Sequence, residues 1–266
     1  RAILPEILNA GGKIMVRHEV QEILLSEDQK TAIGVRVLDR RDQSTHEFFA
    51  PLIYSNAGVH ITYQKLLPEA VTQGVRQKLE KIPLGYGVVN LYLGLKKSPK
   101  EIGVHGENYW IYDSYDQKKV FAERNQILAG HPAFAFLSFG AANDSDAKSF
   151  TAQIISLADY ELFAKYKELP TKNRGPEYEA LKAEISKNLL AMVEKHVPGL
   201  TDLIEYQELA TPLTFEHYTG HIKGQIYGLS MTVDRAKNGF YTAKTPVNNL
   251  YLTGADVAGS GVTGAL

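Results

Sequence analysis

Apolar and polar residues alternate through residues 13–55, and polar turns interrupt the alternation at short intervals. Runs at 13–17 and 20–25, kinked at His18-Glu19, lead through a turn at 26–30 to Ala32–Asp39. A second turn at 40–44 precedes Thr45–Phe49, and 52–55 closes the series at Asn56-Ala57-Gly58. Such spacing predicts a β-meander feeding a final strand. Ahead of it, Ile3, Leu4, Ile7 and Leu8 stand at helical spacing and Gly11-Gly12 ends the run, as glycine does at a helix C-terminus.

The middle of the chain is richer in aromatic and β-branched residues. A helix is expected over 66–81, interrupted by Pro68 and closed by Pro83. Strands are expected at 86–95, 107–113 and 131–139, with a loop at 143–146. Ile154-Ile155 tips 151–157 toward a strand, and 159–169 reads as a helix ended by Pro170. The clearest helix is 176–197, which opens on Pro176 and carries Leu181, Ile185, Leu189, Met192 and Val193 on one stripe. A strand at 202–209, a loop-rich stretch at 211–239 and a short strand at 249–253 complete the pattern.

Composition narrows the function classes. Lys plus Arg numbers 29 against 30 Asp plus Glu, which argues against a dedicated nucleic-acid binder. The absence of cysteine removes disulfides, thiolate metal sites and cysteine nucleophiles. No apolar run approaches the roughly 18 residues of a membrane span. No Gly-x-Ser-x-Gly elbow is present. The chain begins at Arg1 without a methionine and stops just after a glycine-rich turn, so a piece of a longer protein is expected.

That turn, Gly259-Ser260-Gly261-Val262-Thr263-Gly264, matches G-x-G-x-x-G letter for letter. Its context does not suit the first turn of a dinucleotide fold. The preceding strand ends about six residues early, and no acidic residue follows. The longer run from Asn249 to Asp256 is more informative. A buried strand ends at Gly254, where backbone can approach a ligand. Asp256 can accept hydrogen bonds from sugar-like hydroxyls. Helix-start N–H groups beyond it suit a phosphate or an electron-rich carbonyl.

Three stretches together resemble the C-terminal part of the FAD-dependent carotenoid desaturase, carotenoid isomerase and retinol saturase group, within the amine-oxidase-like flavoproteins. They run from Gly12-Lys13-Ile14 to Ser55-Asn56-Ala57, from Thr211-Pro212-Leu213-Thr214 to Tyr227-Gly228-Leu229, and from Leu250-Tyr251-Leu252-Thr253-Gly254 to Gly264-Ala265. The resemblance implies an α+β chain. A mixed, largely antiparallel substrate-domain sheet with helices would accompany the β-meander and last strand of a Rossmann-like FAD domain whose first βαβ unit is missing. Residues 1–60 and 241–266 would belong to the FAD-binding domain and 61–240 to the substrate-binding domain.

The resemblance further implies an oxidoreductase that desaturates, saturates or isomerises carotenoid- or retinoid-like isoprenoids. The implied FAD contacts are Val20, Ser55, Asn56, Ala57, Gly254, Asp256, Gly261, Val262 and Thr263. A valine at 20 equally suits a core, and an aspartate at 256 a helix N-cap. Lacking the family's first glycine turn, this chain is expected to hold FAD weakly or not at all and to be inactive alone. His217 and Tyr227 are candidate acid or positioning groups; no metal site is expected, since His217 and His221 lack a third ligand. Tyr86, Tyr92, Tyr109, Trp110, Tyr112, Phe134, Phe136 and Phe139 are candidate walls of an apolar tunnel, or ordinary sheet core. The expected location is cytoplasmic, with peripheral membrane contact compatible with a lipid-borne substrate. Two other readings share the architecture: a non-redox prenyl- or lipid-binding module of the GTPase dissociation-inhibitor or escort type, and a flavin amine oxidase.

Overall fold

The computed structural model describes residues 3–140 and 147–259. The loop expected at 143–146 and the candidates Gly261, Val262 and Thr263 lie outside the described residues. The chain divides into two compact units, residues 1–83 with 227–266, and residues 84–226. Segments 61–83 and 227–240, which the sequence associates with the substrate side, pack inside the first unit. Their apolar residues Tyr63, Leu79, Leu229 and Phe240 share one core cluster with Ile23 and Leu250.

In the first unit, β1 (His18–Leu25), β2 (Ala32–Asp39) and β3 (Thr45–Phe49) form the expected antiparallel meander. Residues 13–17, expected as a strand, are not one. The eight residues of β2 are taken up by 18–25, which leaves 13–17 no strand to pair with beyond the single Arg40 N to Arg17 O hydrogen bond, and Arg17 turns the chain at φ 61°. A separate parallel pair joins β4 (Ile53–Ser55) to β10 (Leu250–Leu252). The helix expected over 66–81 divides as Pro68 dictates, into a wide turn Thr62–Leu66 and a helix Glu69–Leu79. Arg76 clasps the two together, donating to Tyr63 O at 3.0 Å, Thr72 Oγ1 at 2.8 Å and Leu67 O at 3.1 Å.

The second unit is built on one five-stranded antiparallel sheet. Its strands are β5 (Val88–Leu95), β6 (Tyr109–Tyr112), β7 (Phe134–Ser138), β8 (Phe150–Leu157) and β9 (Ile204–Ala210), in the order β6-β7-β8-β5-β9. Period-2 alternation sends Val89, Leu91, Leu93, Ala135, Leu137, Ala152 and Ile154 to one face. Helix Pro176–Glu194 covers that face with Ile185, Leu189, Met192 and Val193, the stripe expected from the sequence. Two expectations fail here for identifiable reasons. Residues 159–169 form 3₁₀ turns, Tyr160–Leu162 and Ala164–Tyr166, rather than an α-helix. The buried residues Tyr160, Phe163 and Tyr166 recur every third position, the 3₁₀ period. The stretch expected as loop contains helix Pro212–Thr219. A reciprocal Thr211–Thr214 capping box and Pro212 at the first position start it, and Gly220 ends it at φ 72°.

Candidate functional site

In the first unit, the parallel pair β4/β10 brings its carboxyl ends side by side, Leu252 opposite Ser55. The carboxyl ends of parallel strands are where open α/β sheets hold ligands. Thr253 N donates to Ser55 O at 3.0 Å. Gly254 adopts φ +91°, and a Cβ there would overlap the Asn56 side chain, so only glycine lets the two turns touch. Ser55, Asn56 and Gly254 therefore meet. The Ser55 hydroxyl is buried, 2.7 Å from Thr62 Oγ1, and is engaged inward.

Asp256 is the hub of this end. Its carboxylate is 6% exposed, accepting from Val59 N at 2.8 Å and from Leu229 N at 2.6 Å. Gly228, at φ +71°, makes room for it, since a Cβ at 228 would overlap Asp256 Oδ1. One side chain thus ties together the segments around 59, 229 and 256. Asp256 does cap a helix start, but that of Val59–Ile61, which lies far away in sequence.

Behind this hub lies a residue the sequence did not single out. Arg235 is fully buried, donating to Phe240 O and Leu229 O, each at 3.0 Å, and to Ala255 O at 3.4 Å. Its guanidinium stacks 4.4 Å from the Tyr241 ring centre. Leu229 hence donates to Asp256 through its N–H and accepts from Arg235 through its C=O, so the peptides on its two sides link the two buried side chains. The available sequence signal was Thr232, which caps helix Val233–Lys237 and sets Arg235 one turn in.

A cavity of about 250 Å³ is walled by Val59, Tyr63, Phe240, Leu252 and Asp256. Burial pushes the Tyr63 phenol up to about 12, so it stays protonated there. Val20 stands apart from the hub. It is exposed in β1, one of the two edge strands of its sheet, and the register slips between Val20 and Glu22. An edge strand presents backbone groups with no strand partner, as a backbone contact to an adenine requires.

The second unit holds the aromatic candidates, and its sheet sorts them. Tyr109 and Phe139 turn inward and meet edge to face at 6.4 Å, so they are core and not tunnel wall. Tyr92, Trp110, Tyr112, Phe134 and Phe136 occupy the opposite face. There Trp110 packs on Phe136 with ring centres at 4.6 Å, and Tyr112 on Phe134 at 5.1 Å. Trp110, Tyr112 and Tyr92 remain exposed. Tyr86 precedes β5 and meets Phe121 at 6.4 Å.

Of the acid candidates, His217 is exposed on helix Pro212–Thr219, with Nδ1 3.4 Å from Thr171 Oγ1. The helix ends before His221, whose Nδ1 lies 3.3 Å from Gln225 O. Among the described residues no cluster of three or more His, Asp or Glu side chains is placed to hold a metal ion. Tyr227 is exposed and held at φ 63°, a strained conformation for a tyrosine. No described helix is long and apolar enough to cross a membrane.

Comparison with known proteins places this geometry. No family model matches the chain. It is 34% identical over 280 residues to an all-trans-retinol 13,14-reductase of Danio rerio, covering 99% of this chain and 45% of that protein. It is also 24% identical to a chloroplastic prolycopene isomerase of Arabidopsis thaliana, over 96% of this chain and 40% of that protein. A neurosporene-forming phytoene desaturase of Rhodobacter capsulatus matches at 26%, over 98% and 48% of the two chains. The chain is a homologue of these enzymes along nearly its whole length. It spans a little under half the length of each. Among solved structures, an oxidoreductase from Methanosarcina mazei superposes with a TM-score of 0.56 at 16% identity, covering 98% of this chain and 50% of that one. A putrescine oxidase double mutant gives 0.57 at 13%, covering 99% and 49%. These two likenesses establish the fold alone.

Proposed function

We propose that this chain supplies the substrate side and part of the cofactor side of an FAD-dependent oxidoreductase that acts on carotenoid- or retinoid-like isoprenoids. The observation that carries the reading is the outer face of the five-stranded sheet. It is aromatic on β6 and β7, with Trp110 and Tyr112 exposed and Phe134 and Phe136 partly buried, although the same strands bury Ile111, Ala135 and Leu137 on their other face. A flat aromatic surface suits a conjugated apolar chain, which gains area burial and ring contacts without needing hydrogen bonds. The three homologous enzymes are named for polyenes, which supports this assignment.

The first unit suits the adenosine and ribityl side of a flavin nucleotide in two respects. β1 is an edge strand of its sheet, and Val20 is exposed on it. Asp256 holds a buried carboxylate at the ends of two parallel strands, with lone pairs left over for a hydroxyl. Val20, Asn56, Ala57, Gly254 and Asp256 are the described residues we assign to it, with Ser55 shaping the turn from behind. FAD, when bound, would supply the two-electron chemistry of desaturation or saturation, whereas isomerisation is redox-neutral overall. This chain would line the apolar path and keep the β4/β10 ends rigid. Both tasks are compatible with peripheral contact with a membrane that holds the substrate.

The test is turnover. The full-length protein, supplied with FAD and an all-trans polyene, is expected to change the polyene's absorbance: a double bond is lost when a reductant is added, gained when an electron acceptor is added, or isomerised with no net electron transfer. The 266-residue chain alone is expected to retain little flavin through gel filtration. A full-length protein that takes up no flavin and leaves every polyene unchanged would overturn the reading.

A further inference from the structure

We propose that Asn90 is a specificity residue that receives the hydroxyl end of a polyene alcohol. The proposal rests on the aromatic face being the place where the isoprenoid lies. Asn90 sits in the middle of β5, between Val89 and Leu91, whose side chains enter the core. Alternation therefore puts Asn90 on the aromatic face. The register aligns it in one cross-strand row, Trp110–Phe136–Ile155–Asn90–Ala210. Exposure falls along the row from 60% at Trp110, through partly buried Phe136 and Ile155, to 5% at Asn90.

The amide is half satisfied. Asn90 Nδ2 donates to Gln153 Oε1 at 3.1 Å. Asn90 Oδ1 is buried and has no hydrogen-bond partner among the described residues. A buried acceptor without a donor is costly, and native proteins rarely leave one so unless something else supplies the donor. A donor attached to an otherwise apolar body suits that place, because the remainder of the row is tryptophan, phenylalanine, isoleucine and alanine. An ammonium would bury its charge in a row that holds no carboxylate. A neutral hydroxyl meets the requirement. Three strand spacings of about 4.8 Å separate Trp110 from Asn90, so a ligand of about 14 Å spans the row with its alcohol inside and its apolar end at the rim.

Trp110 is the single tryptophan of the chain and stands at that rim, so its fluorescence reports occupancy of the row. The 266-residue chain would be titrated with all-trans-retinol, its acetate ester, its aldehyde and a hydrocarbon polyene of similar length. The alcohol is expected to quench Trp110 at about tenfold lower concentration than the ester, aldehyde or hydrocarbon, the scale of one buried acceptor gaining its partner. In Asn90→Leu the four ligands are expected to quench alike, with the hydrocarbon no weaker than before. If Asn90→Leu does not fold by circular dichroism, Asn90→Ser is read instead and is expected to shrink the preference to a few-fold.

Equal quenching by all four ligands in the unaltered chain overturns the role of Asn90 and leaves the aromatic face standing. The same holds for an alcohol preference that survives Asn90→Leu, or for a preference for the aldehyde. No quenching by any polyene overturns the reading of the face itself, and this proposal with it.

Discussion

The two units solve the burial problem differently. Residues 84–226 put five strands and a 19-residue helix around one continuous apolar core, in which Leu91, Leu137, Ile154, Ile185 and Leu189 are fully buried. Residues 1–83 with 227–266 divide their strands into a sheet of three and a pair of two, and many apolar side chains stay in solvent. Helix Ile3–Asn9 buries none of its residues, and Ile14, Val16, Phe49, Leu52 and Tyr54 are exposed. What this unit lacks in area it makes up with buried polar hubs. Asp256, Arg235 and Arg76 each hold two or more backbone groups from segments distant in sequence or across a turn. The contrast is between stability that scales with apolar area and stability that depends on individual hydrogen-bonded groups.

The largest test of the contrast is a core truncation. Leu91→Ala in β5 is expected to destabilise the unit of residues 84–226 by about 3 kcal/mol in urea unfolding, whereas Ile7→Ala on the exposed N-terminal helix should fall within about 0.5 kcal/mol. Comparable losses at both positions would break the comparison. Next is Arg235→Met. It strips three buried carbonyls of their donor, with an expected cost of about 3 kcal/mol. Hydrogen exchange should speed up at Leu229 and Val59 while amides of β5 and β8 keep their protection. Asp256→Ala should follow the same pattern at about 2 kcal/mol, because it leaves two N–H groups unpaired.

Smaller effects sharpen the comparison. Thr211→Ala removes the capping box of helix Pro212–Thr219 and the 2.6 Å contact with the Tyr178 hydroxyl; about 1 kcal/mol in thermal or urea unfolding is expected. The smallest effect at neutral pH is that of Tyr63. Its folded-state value near 12 exceeds the ordinary tyrosine value of 10 because the phenol is buried. The folded state thus holds a proton that the unfolded state releases. Tyr63's contribution is fully present below pH 10 and is lost as pH rises toward 12. Spectrophotometric titration should show one late-ionising tyrosine, absent in Tyr63→Phe. Asp39 is the acid-side counterpart. Hydrogen bonds from Arg41 hold its carboxyl well below the usual carboxylate range. Its contribution is therefore present above about pH 4 and lost on further acidification, and Arg41→Met should raise its titration point by NMR.

The strands of the second unit were legible because alternation and β-branching are local signals, and the helix at 176–194 because Pro176 and a regular apolar stripe mark it. Residues 160–166 were misread because a period of three resembles a period of 3.6 over two turns. Helix Pro212–Thr219 lies in a stretch expected as loop although Thr211-Pro212 announces a helix start, because Gly220 and Gly224 close behind it are turn formers. The cofactor-side candidates were chosen by resemblance. The structure brings Ser55, Asn56, Gly254 and Asp256 together and leaves Val20 in a separate sheet.

The amino-acid sequence by itself determined the α+β class, the antiparallel strands and the likeness to polyene-modifying flavoproteins, because periodicity and short motifs are carried by neighbouring residues. Only the tertiary structure decided which polar residues are buried. Arg235 in a short polar segment and Asn90 in an apolar strand resemble, on the page, a solvated charge and a tolerated amide. The carbonyls around Arg235 come from turns 5, 6 and 20 residues away, and the partners of Asn90 from strands more than 60 residues on. Burial is a property of the packed chain, and so the residues whose chemistry depends on it emerge only once the strands are paired.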